Sequence, residues 1–238
     1  IKRFAALWYV RLIVLRALAE VGVTFIHSDT DAIWLRDPLG AFFAPTQPAL
    51  LKFSQGTVAP SQLQARWGFV VCGGLFYARA SRFTRAYFQT VLEHLLQNPL
   101  VPRHATDQDS LNLALAEFGV AWHTVPNTTY HKKLFATHFT CSLREVEGTF
   151  EGAGLRVALL PHHFFMRRPM VHPEKPYVLH LYTHGGPKQT AGKLKMLQSE
   201  GLQFLRTDWA NVSFPGDRGA WLDSLLLVNA TVRSRYWP

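Results

Sequence analysis

The sequence has few cysteines, no long apolar segment and no dense run of basic residues. Its two cysteines, Cys72 and Cys141, are too few for a disulfide framework and do not form a Cys-x-x-Cys pair. No apolar run approaches the roughly 20 residues of a membrane-spanning helix, and no signal peptide or internal repeat is visible. These absences argue against a disulfide-rich scaffold, a membrane-spanning domain and a repeat protein.

The composition is that of a globular protein with a basic surface. Hydrophobic residues make up 48% of the chain, charged residues 17%, and the net charge is +9. This charge predicts an anionic partner, but nucleic acid is not favoured because no basic stripe interleaved with aromatic residues is present. We expect one domain over residues 1–238, with 206–238 as an unassigned tail. Because the chain starts inside a helix-like segment without Met, we expect it to be part of a longer protein.

The hydrophobic pattern predicts an open α/β sheet. A helix is expected over Phe4–Glu20, and its nearly continuous apolar surface predicts cover on two sides. A strand over Val23–His27 follows it, and polar residues come at the end of that strand, where open α/β sheets bind ligands. The remaining expected elements are strands at Phe69–Ala78, Val120–Val125 and Leu155–Pro161, helices at Ser81–Gln97, Thr106–Gly119 and Thr190–Ser199, and loops over 42–60 and 126–154.

Two carboxylates one residue apart, Asp29 and Asp31, end the first strand. Carboxylates at the tip of a buried strand are costly unless a positive charge offsets them. Their oxygens suit Mg²⁺ or Mn²⁺, and such an ion can hold the phosphates of a substrate. The alternative is that Asp29 caps the turn while Asp31 is solvated.

Two later segments carry further candidate residues. Thr106 and Asp109 have the spacing of a capping box, which leaves Asp107 and Gln108 at the helix N-terminus to grip sugar hydroxyls. Gly73 and Gly74 interrupt a strand, which indicates either a close approach of a ligand or another chain segment, or a simple bulge.

Histidines near the end of the chain raise the question of further metal ligands. A strand delivers His180 into a loop with glycines and lysines, where it is a candidate third ligand and His184 is its rival. The neighbouring pair His162 and His163 lacks a matching carboxylate in the sequence, so a packed or solvated pair is favoured there.

Together these segments resemble the nucleotide-diphospho-sugar transferase family. The matching stretches are Ser28–Pro38, Cys72–Arg79, Asp107–Gln108, Leu155–Phe165 and Tyr177–Lys193. The last two resemble most closely the plant and algal arabinosyltransferases of hydroxyproline-rich cell-wall glycoproteins, in glycosyltransferase family 77. The resemblance implies a GT-A fold, which is a Rossmann-like mixed sheet flanked by helices. It also implies that a nucleotide-binding strand usually preceding the first helix is missing here.

The resemblance also implies roles for individual residues. Asp29, Asp31 and His180 would hold Mn²⁺ (or Mg²⁺) against the diphosphate of a UDP-sugar. Asp107 and Gln108 would act as the catalytic pair that orients the donor sugar. The other donor-binding residues implied are Ser28, Thr30, Gly73, Gly74, Lys193 and Lys188.

The function implied is metal-dependent transfer of arabinose, xylose or galactose to a glycoprotein or cell-wall glycan. Retention is implied, by either front-face attack or a covalent intermediate. Together with three Asn-x-Ser/Thr sequons, at Asn127, Asn211 and Asn229, the resemblance implies a Golgi lumenal protein anchored outside this chain. Two alternatives are a haloacid-dehalogenase-type phosphatase with Asp29 as nucleophile, although Ala32-Ile33 replaces the usual Gly-Thr, and a non-catalytic carbohydrate-binding domain.

Overall fold

The computed structural model divides into two units, Ile1–His180 and Leu181–Pro238. The residues described are 3–43, 48–97, 106–123, 128–134, 137–167, 172–182 and the single positions 192, 195 and 198. The predicted tail at 206–238 and the asparagines of all three sequons lie outside them. The expectation of one domain over 1–238 stays a prediction.

Helices and strands alternate along the described chain. The helices are α1 (Arg3–Glu20), α2 (Leu39–Phe42), α3 (Ser61–Trp67), α4 (Arg82–Gln97) and α5 (Asp107–Glu117). The strands are β1 (Phe25–Ser28), β2 (Ile33–Trp34), β3 (Leu51–Gln55), β4 (Val71–Ala78), β5 (Val120–Trp122), β6 (Thr128–Leu134), β7 (Thr137–Cys141), β8 (Val146–Phe150), β9 (Arg156–Leu159), β10 (Phe165–Met166) and β11 (Val178–Leu179). None of the helices described here is long and apolar enough to cross a membrane.

A six-stranded mixed sheet forms the centre of the unit, with the order β1-β4-β3-β9-β8-β5. Only the β3–β9 pair is parallel, and the other neighbours in this sheet are antiparallel. A smaller sheet of β10, β11 and β2 and a hairpin of β6 and β7 accompany it. This architecture confirms the predicted mixed α/β sheet with flanking helices.

The two faces of β4 enter two different apolar cores, because side chains alternate along a strand. Phe76 and Ala78 pack in the larger core with residues of α1, α3, α4 and α5. Leu75 and Tyr77 pack in the smaller core with residues of α2 and of the three-stranded sheet. Helices and the small sheet therefore cover opposite faces of the central sheet, and β4 runs buried along its whole length.

Three expectations from the sequence are wrong. Residues 51–55 form β3 rather than a loop, and 126–154 contains β6, β7 and β8. Helix α1 is covered mainly along Leu12, Leu15 and Ala19, whereas Leu7 and Val14, which have 63% and 51% exposure, face outward. The physical reason is that an almost uniformly apolar helix gives little information about which side faces the core.

Candidate active site

Asp29, Asp31 and His180 come together although His180 lies 149 positions after Asp31 in the chain. Asp29 follows β1, and its N–H extends the pairing with β4 by donating to Gly74 O at 2.7 Å. Strand β2 pairs with β11, so the end of β11 brings His180 beside the turn that carries the two carboxylates. Nε2 of His180 lies 3.1 Å from Oδ1 of Asp31 and 3.7 Å from Oδ2 of Asp29.

The backbone of β4 separates this triad from Asp107 and Gln108. A Cβ added at Gly74 would lie 2.8 Å from Cγ of Asp29 and closer still to Asp29 Oδ2 and His180 Cε1. A Cβ at Gly73 would meet Cα and N of Gln108 at 3.3 Å. The glycines therefore allow other chain segments to approach closely. A bulge is present as well, because the β3–β4 register shifts between Phe53 and Gln55.

Asp107 is the first residue of α5, and the predicted capping box fixes that end of the helix. The Thr106 hydroxyl accepts from Asp109 N, and the Asp109 carboxylate accepts from Thr106 N. Asp107 is therefore free of the capping role and lies 5% exposed beneath the site. Its Oδ1 accepts from Gln108 N at 2.9 Å, while Nε2 of Gln108 donates to Ala59 O at 2.8 Å.

Arg11 of α1 joins the two halves of the site. Its Nη1 donates to Oδ1 of Asp29 at 2.6 Å, and its Nη2 pairs with Oδ2 of Asp107. Nη1 also lies 3.3 Å from Nε2 of His27. A planar guanidinium suits this bridging geometry because its donors diverge in a fixed fork. One side chain thus holds Asp29 and Asp107 on either side of a single positive charge.

Asn112 anchors the start of α5 to β4. Its Oδ1 accepts from Val71 N at 2.8 Å, and its Nδ2 donates to Val71 O at 2.9 Å and to Gln108 O at 2.8 Å. The side chain is fully buried. This amide therefore satisfies the backbone of β4 and fixes the helical turn that carries Asp107 and Gln108.

Below the triad, His180 contacts Cys72 and Arg167. Nδ1 of His180 lies 3.7 Å from Sγ of Cys72, and the His180 carbonyl accepts from Nη1 of Arg167 at 2.9 Å. Burial is the largest single influence on the thiol and raises its pKa. Arg167, His180 and the N–H of Gly74 outweigh it and lower the pKa of Cys72 to about 6. Both cysteines are free and buried.

The ionisation of the triad follows from these neighbours. Burial and Arg167 lower the pKa of His180. Cys72 and Asp31 raise it by a larger amount, so the net pKa lies above the ordinary value of 6.5. Burial raises the pKa of Asp29, whereas the His27 hydrogen bond, Arg11 and His180 together bring it below 3.8. Asp29 is therefore a carboxylate throughout the neutral range.

The donor atoms of Asp29, Asp31 and His180 fit a divalent cation. One ligand atom from each residue lies within 4.8 Å of the other two. Two carboxylates and one imidazole form a mostly oxygen donor set, which suits Mn²⁺ or Mg²⁺. The absence of a side chain at Gly74 leaves the space that these ligands occupy. The residues present therefore fit the expected ion, while its identity stays a prediction.

The remaining candidate residues are placed differently. The Ser28 hydroxyl accepts from Nε1 of Trp34 at 3.1 Å, and Thr30 is exposed in the turn between the carboxylates. Lys188 and Lys193 lie outside the described residues, so their proposed phosphate contacts stay predictions.

Arg11, Asn112 and Arg167 are the neighbours that sequence reasoning missed. Arg11 lies within the helix predicted over Phe4–Glu20, and a charged residue among apolar ones is the signal that points to it. Asn112 lies four residues after Gln108, one helical turn later, and a polar residue on an inward-facing stripe was the clue. Nothing in the sequence near Arg167 indicates that its guanidinium reaches the backbone of His180.

Comparison with known proteins assigns the chain to a family. Residues 2–197 match the family model described as nucleotide-diphospho-sugar transferase. No curated protein and no solved structure matches the chain at a significant level. The family match covers most of the chain, including both carboxylates of the turn, the start of α5 and His180, and with the mixed sheet it supports a GT-A-like fold. On this basis the chain belongs to the nucleotide-diphospho-sugar transferase family.

Proposed function

We propose that this protein is a metal-dependent glycosyltransferase that moves a sugar from a UDP-sugar to a glycoprotein or cell-wall glycan acceptor. The observation that carries the proposal is the meeting of Asp29, Asp31 and His180 within 4.8 Å. The sequence motifs favour arabinose, xylose or galactose as the sugar, and the arabinosyltransferases of hydroxyproline-rich glycoproteins as the nearest subgroup.

The triad would hold Mn²⁺ or Mg²⁺, with Asp29 and Asp31 as oxygen ligands and His180 as the nitrogen ligand. Bound there, the ion supplies a Lewis acid that stabilises the charge of the departing diphosphate. The protein prepares for this by keeping Asp29 ionised through Arg11 and His27. Arg167 and Cys72 hold the His180 backbone and ring in place.

Asp107 acts in this proposal as a positioning carboxylate rather than a covalent nucleophile. Both of its oxygens are engaged, one by the N–H of Gln108 and the other by Arg11. A carboxylate paired with a guanidinium is a weak nucleophile because its charge is already stabilised. We therefore favour front-face attack by the acceptor hydroxyl, with Asp107 and Gln108 orienting the donor sugar and retention of configuration as the outcome.

The cellular setting forms part of the same proposal. The three sequons and the resemblance to cell-wall glycosyltransferases support a Golgi lumenal protein that a separate segment anchors in the membrane. The basic net charge of +9 suits an anionic nucleotide-sugar donor. Nucleic acid is not proposed as a partner.

The function is tested by incubating the chain with a hydroxyproline-rich glycoprotein acceptor and UDP-arabinose, UDP-xylose or UDP-galactose, with Mn²⁺ or with EDTA, and measuring the UDP released. Manganese-dependent release with one of these donors supports the proposal. An Asp107→Asn variant should lose release while still binding Mn²⁺, since Asp107 is not a ligand. If the unmodified chain releases as much UDP with EDTA as with Mn²⁺, the proposal of a metal-dependent transferase is contradicted.

The same samples separate the two alternative classes. A phosphatase with Asp29 as nucleophile would release phosphate from p-nitrophenyl phosphate, and a glycosyltransferase would not. A carbohydrate-binding domain would bind glycans without releasing UDP from any donor, and Asp107→Asn would change nothing catalytic.

A further inference from the structure

A second group of potential metal ligands lies at the other end of β11. His163 follows β9 in the turn whose Phe165 N–H donates to Pro161 O at 3.1 Å. His172 and Glu174 precede β11, in the segment that connects it to β10. One ligand atom from each of His163, His172 and Glu174 lies within 4.8 Å of the other two.

The three side chains contact one another directly. Nε2 of His163 is 3.3 Å from Oε2 of Glu174, and the rings of His163 and His172 lie 4.0 Å apart between centroids. The backbone N–H of Glu174 donates to Nδ1 of His172 at 3.2 Å. A metal ion at Nδ1 would replace this N–H, whereas an ion at Nε2 would require the proton to move to Nδ1 and the ring to turn away from Glu174 N. The carboxylate that the sequence alone did not supply to the histidine pair thus comes from Glu174.

Ordinary packing does not account for His163. Its side chain is 7% exposed, yet its Nδ1 is buried and has no hydrogen-bond partner among the described residues. Burial and the neighbouring His172 lower the pKa of His163, and Glu174 raises it by less.

We propose that His163, His172 and Glu174 bind a divalent transition-metal ion, and that Zn²⁺ fits best. Two imidazoles and one carboxylate form the ligand set that zinc takes in many three-ligand sites, with a fourth position open to water. The side chain of Glu174 is 60% exposed, so an ion can reach the three ligands from solvent. The ring planes of His163 and His172 are inclined by 32°. These rings would have to rotate slightly away from each other for one nitrogen of each to point at the same ion.

The two proposed metal sites differ in chemistry and in place. The triad of Asp29, Asp31 and His180 offers mostly oxygen, whereas this group offers mostly imidazole nitrogen, which favours zinc over manganese. His180 follows β11 and Glu174 precedes it. A zinc ion would therefore link the turn after β9 to the segment that precedes β11. It would stabilise β11, the strand that precedes His180, without contacting the UDP-sugar.

The test measures Zn²⁺ binding in a background where the first triad is disabled. The Asp29→Asn, Asp31→Asn double variant of the full chain is titrated with Zn²⁺ against a chromophoric chelator, and with Co²⁺ to record the visible absorption of a four-coordinate ion. We expect one tightly bound ion. Adding His172→Ala or Glu174→Gln should weaken its binding at least tenfold, and circular dichroism checks that each variant is folded.

A matched control removes a histidine that has only one carboxylate partner. Nε2 of His94 lies 2.8 Å from Oε2 of Glu117, but neither residue belongs to a three-ligand group within the described part of the chain. His94→Ala in the same background should leave zinc binding unchanged. The proposal is overturned if the double variant binds no zinc, if His172→Ala and Glu174→Gln bind it as before, or if His94→Ala weakens it equally.

Discussion

Replacing Gly74 by alanine tests how tightly the candidate site is built. The new Cβ would lie 2.8 Å from Cγ of Asp29 and nearer still to Oδ2 of Asp29 and Cε1 of His180. Ordinary contacts begin at about 3.4 Å, so the Asp29 carboxylate must move by about 0.6 Å or more. His180 must move as well, because the same methyl group meets both side chains.

The expected loss follows from the tolerance of metal sites. Ligand positions are held to within about 0.2 Å of their ideal distances, and displacements approaching 1 Å cost on the order of 100-fold in function. We therefore expect Gly74→Ala to weaken Mn²⁺ binding about 100-fold. The cost in stability is of similar size, about 1–3 kcal/mol for one added methyl group in a packed region. This is less than the roughly 5–15 kcal/mol by which folded domains are usually stable, so the fold should persist.

Isothermal titration calorimetry with Mn²⁺ in the presence of UDP measures this loss. Gly40→Ala is the matched control, because it adds the same methyl group where nothing lies within 4 Å. The control should bind Mn²⁺ as the unmodified chain does. If Gly74→Ala also binds within about threefold of the unmodified chain, the close packing of Asp29 and His180 against β4 is wrong.

Three further changes test other contacts. Asn112→Ala leaves the buried N–H and C=O of Val71 without their partner, so urea denaturation should show a loss of about 2–4 kcal/mol. Arg11→Met leaves the carboxylates of Asp29 and Asp107 facing each other, and we expect the free energy of unfolding to fall by about 3–5 kcal/mol. Arg11→Lys keeps the positive charge without the forked donors, so its loss should be smaller but not zero. Mn²⁺ affinity measured by calorimetry should fall as the pH drops through the raised pKa of His180, because the proton and the ion compete for the ring, and His180→Gln should remove this slope.

The contribution of His180 to the stability of the metal-free protein depends on pH in the opposite direction to its contribution to Mn²⁺ affinity. Because the folded pKa of His180 lies above 6.5, the protonated ring stabilises the fold below that value, and this contribution is lost as the pH rises through the folded pKa. Asp29 has a lowered pKa, so its carboxylate stabilises the fold at every pH above the pKa it has in the unfolded chain. This stabilisation is lost only in acid, as the pH falls through the folded pKa. Urea denaturation across pH 5–8 without metal also contains contributions of opposite sign from Cys72 and His162, whose pKa values are lowered to about 6 and about 3. The contribution of His180 is therefore the part of the slope that His180→Gln changes.

The carboxylate turn could be predicted because its information is local. A short apolar strand followed by Asp29 and Asp31 carries its own signal, and the Thr106–Asp109 capping box does the same for α5. Arg11 is different: its role depends on the rotation of α1, and the nearly uniform apolar surface of that helix does not fix the rotation. Only the packed structure shows which side faces Asp29.

Strand β3 escaped prediction because its polar side chains are buried with partners. Nζ of Lys52 donates to Ala41 O at 3.0 Å, and the Ser54 hydroxyl donates to Leu75 O at 3.0 Å. The sequence shows the polar residues but not these distant acceptors, and the loop prediction comes from the flanking Pro45, Pro48, Gly56 and Pro60. The same holds for His163, whose carboxylate partner Glu174 becomes visible only once the chain folds back.

The most direct test of the central claim is calorimetric binding of UDP to this chain with and without Mn²⁺. The measurement is made alongside the Asp29→Asn, Asp31→Asn variant. A metal-binding triad that holds a nucleotide diphosphate predicts UDP binding that requires Mn²⁺ and is lost in the variant. UDP binding that is equal with and without Mn²⁺, or that survives in the variant, would contradict the account.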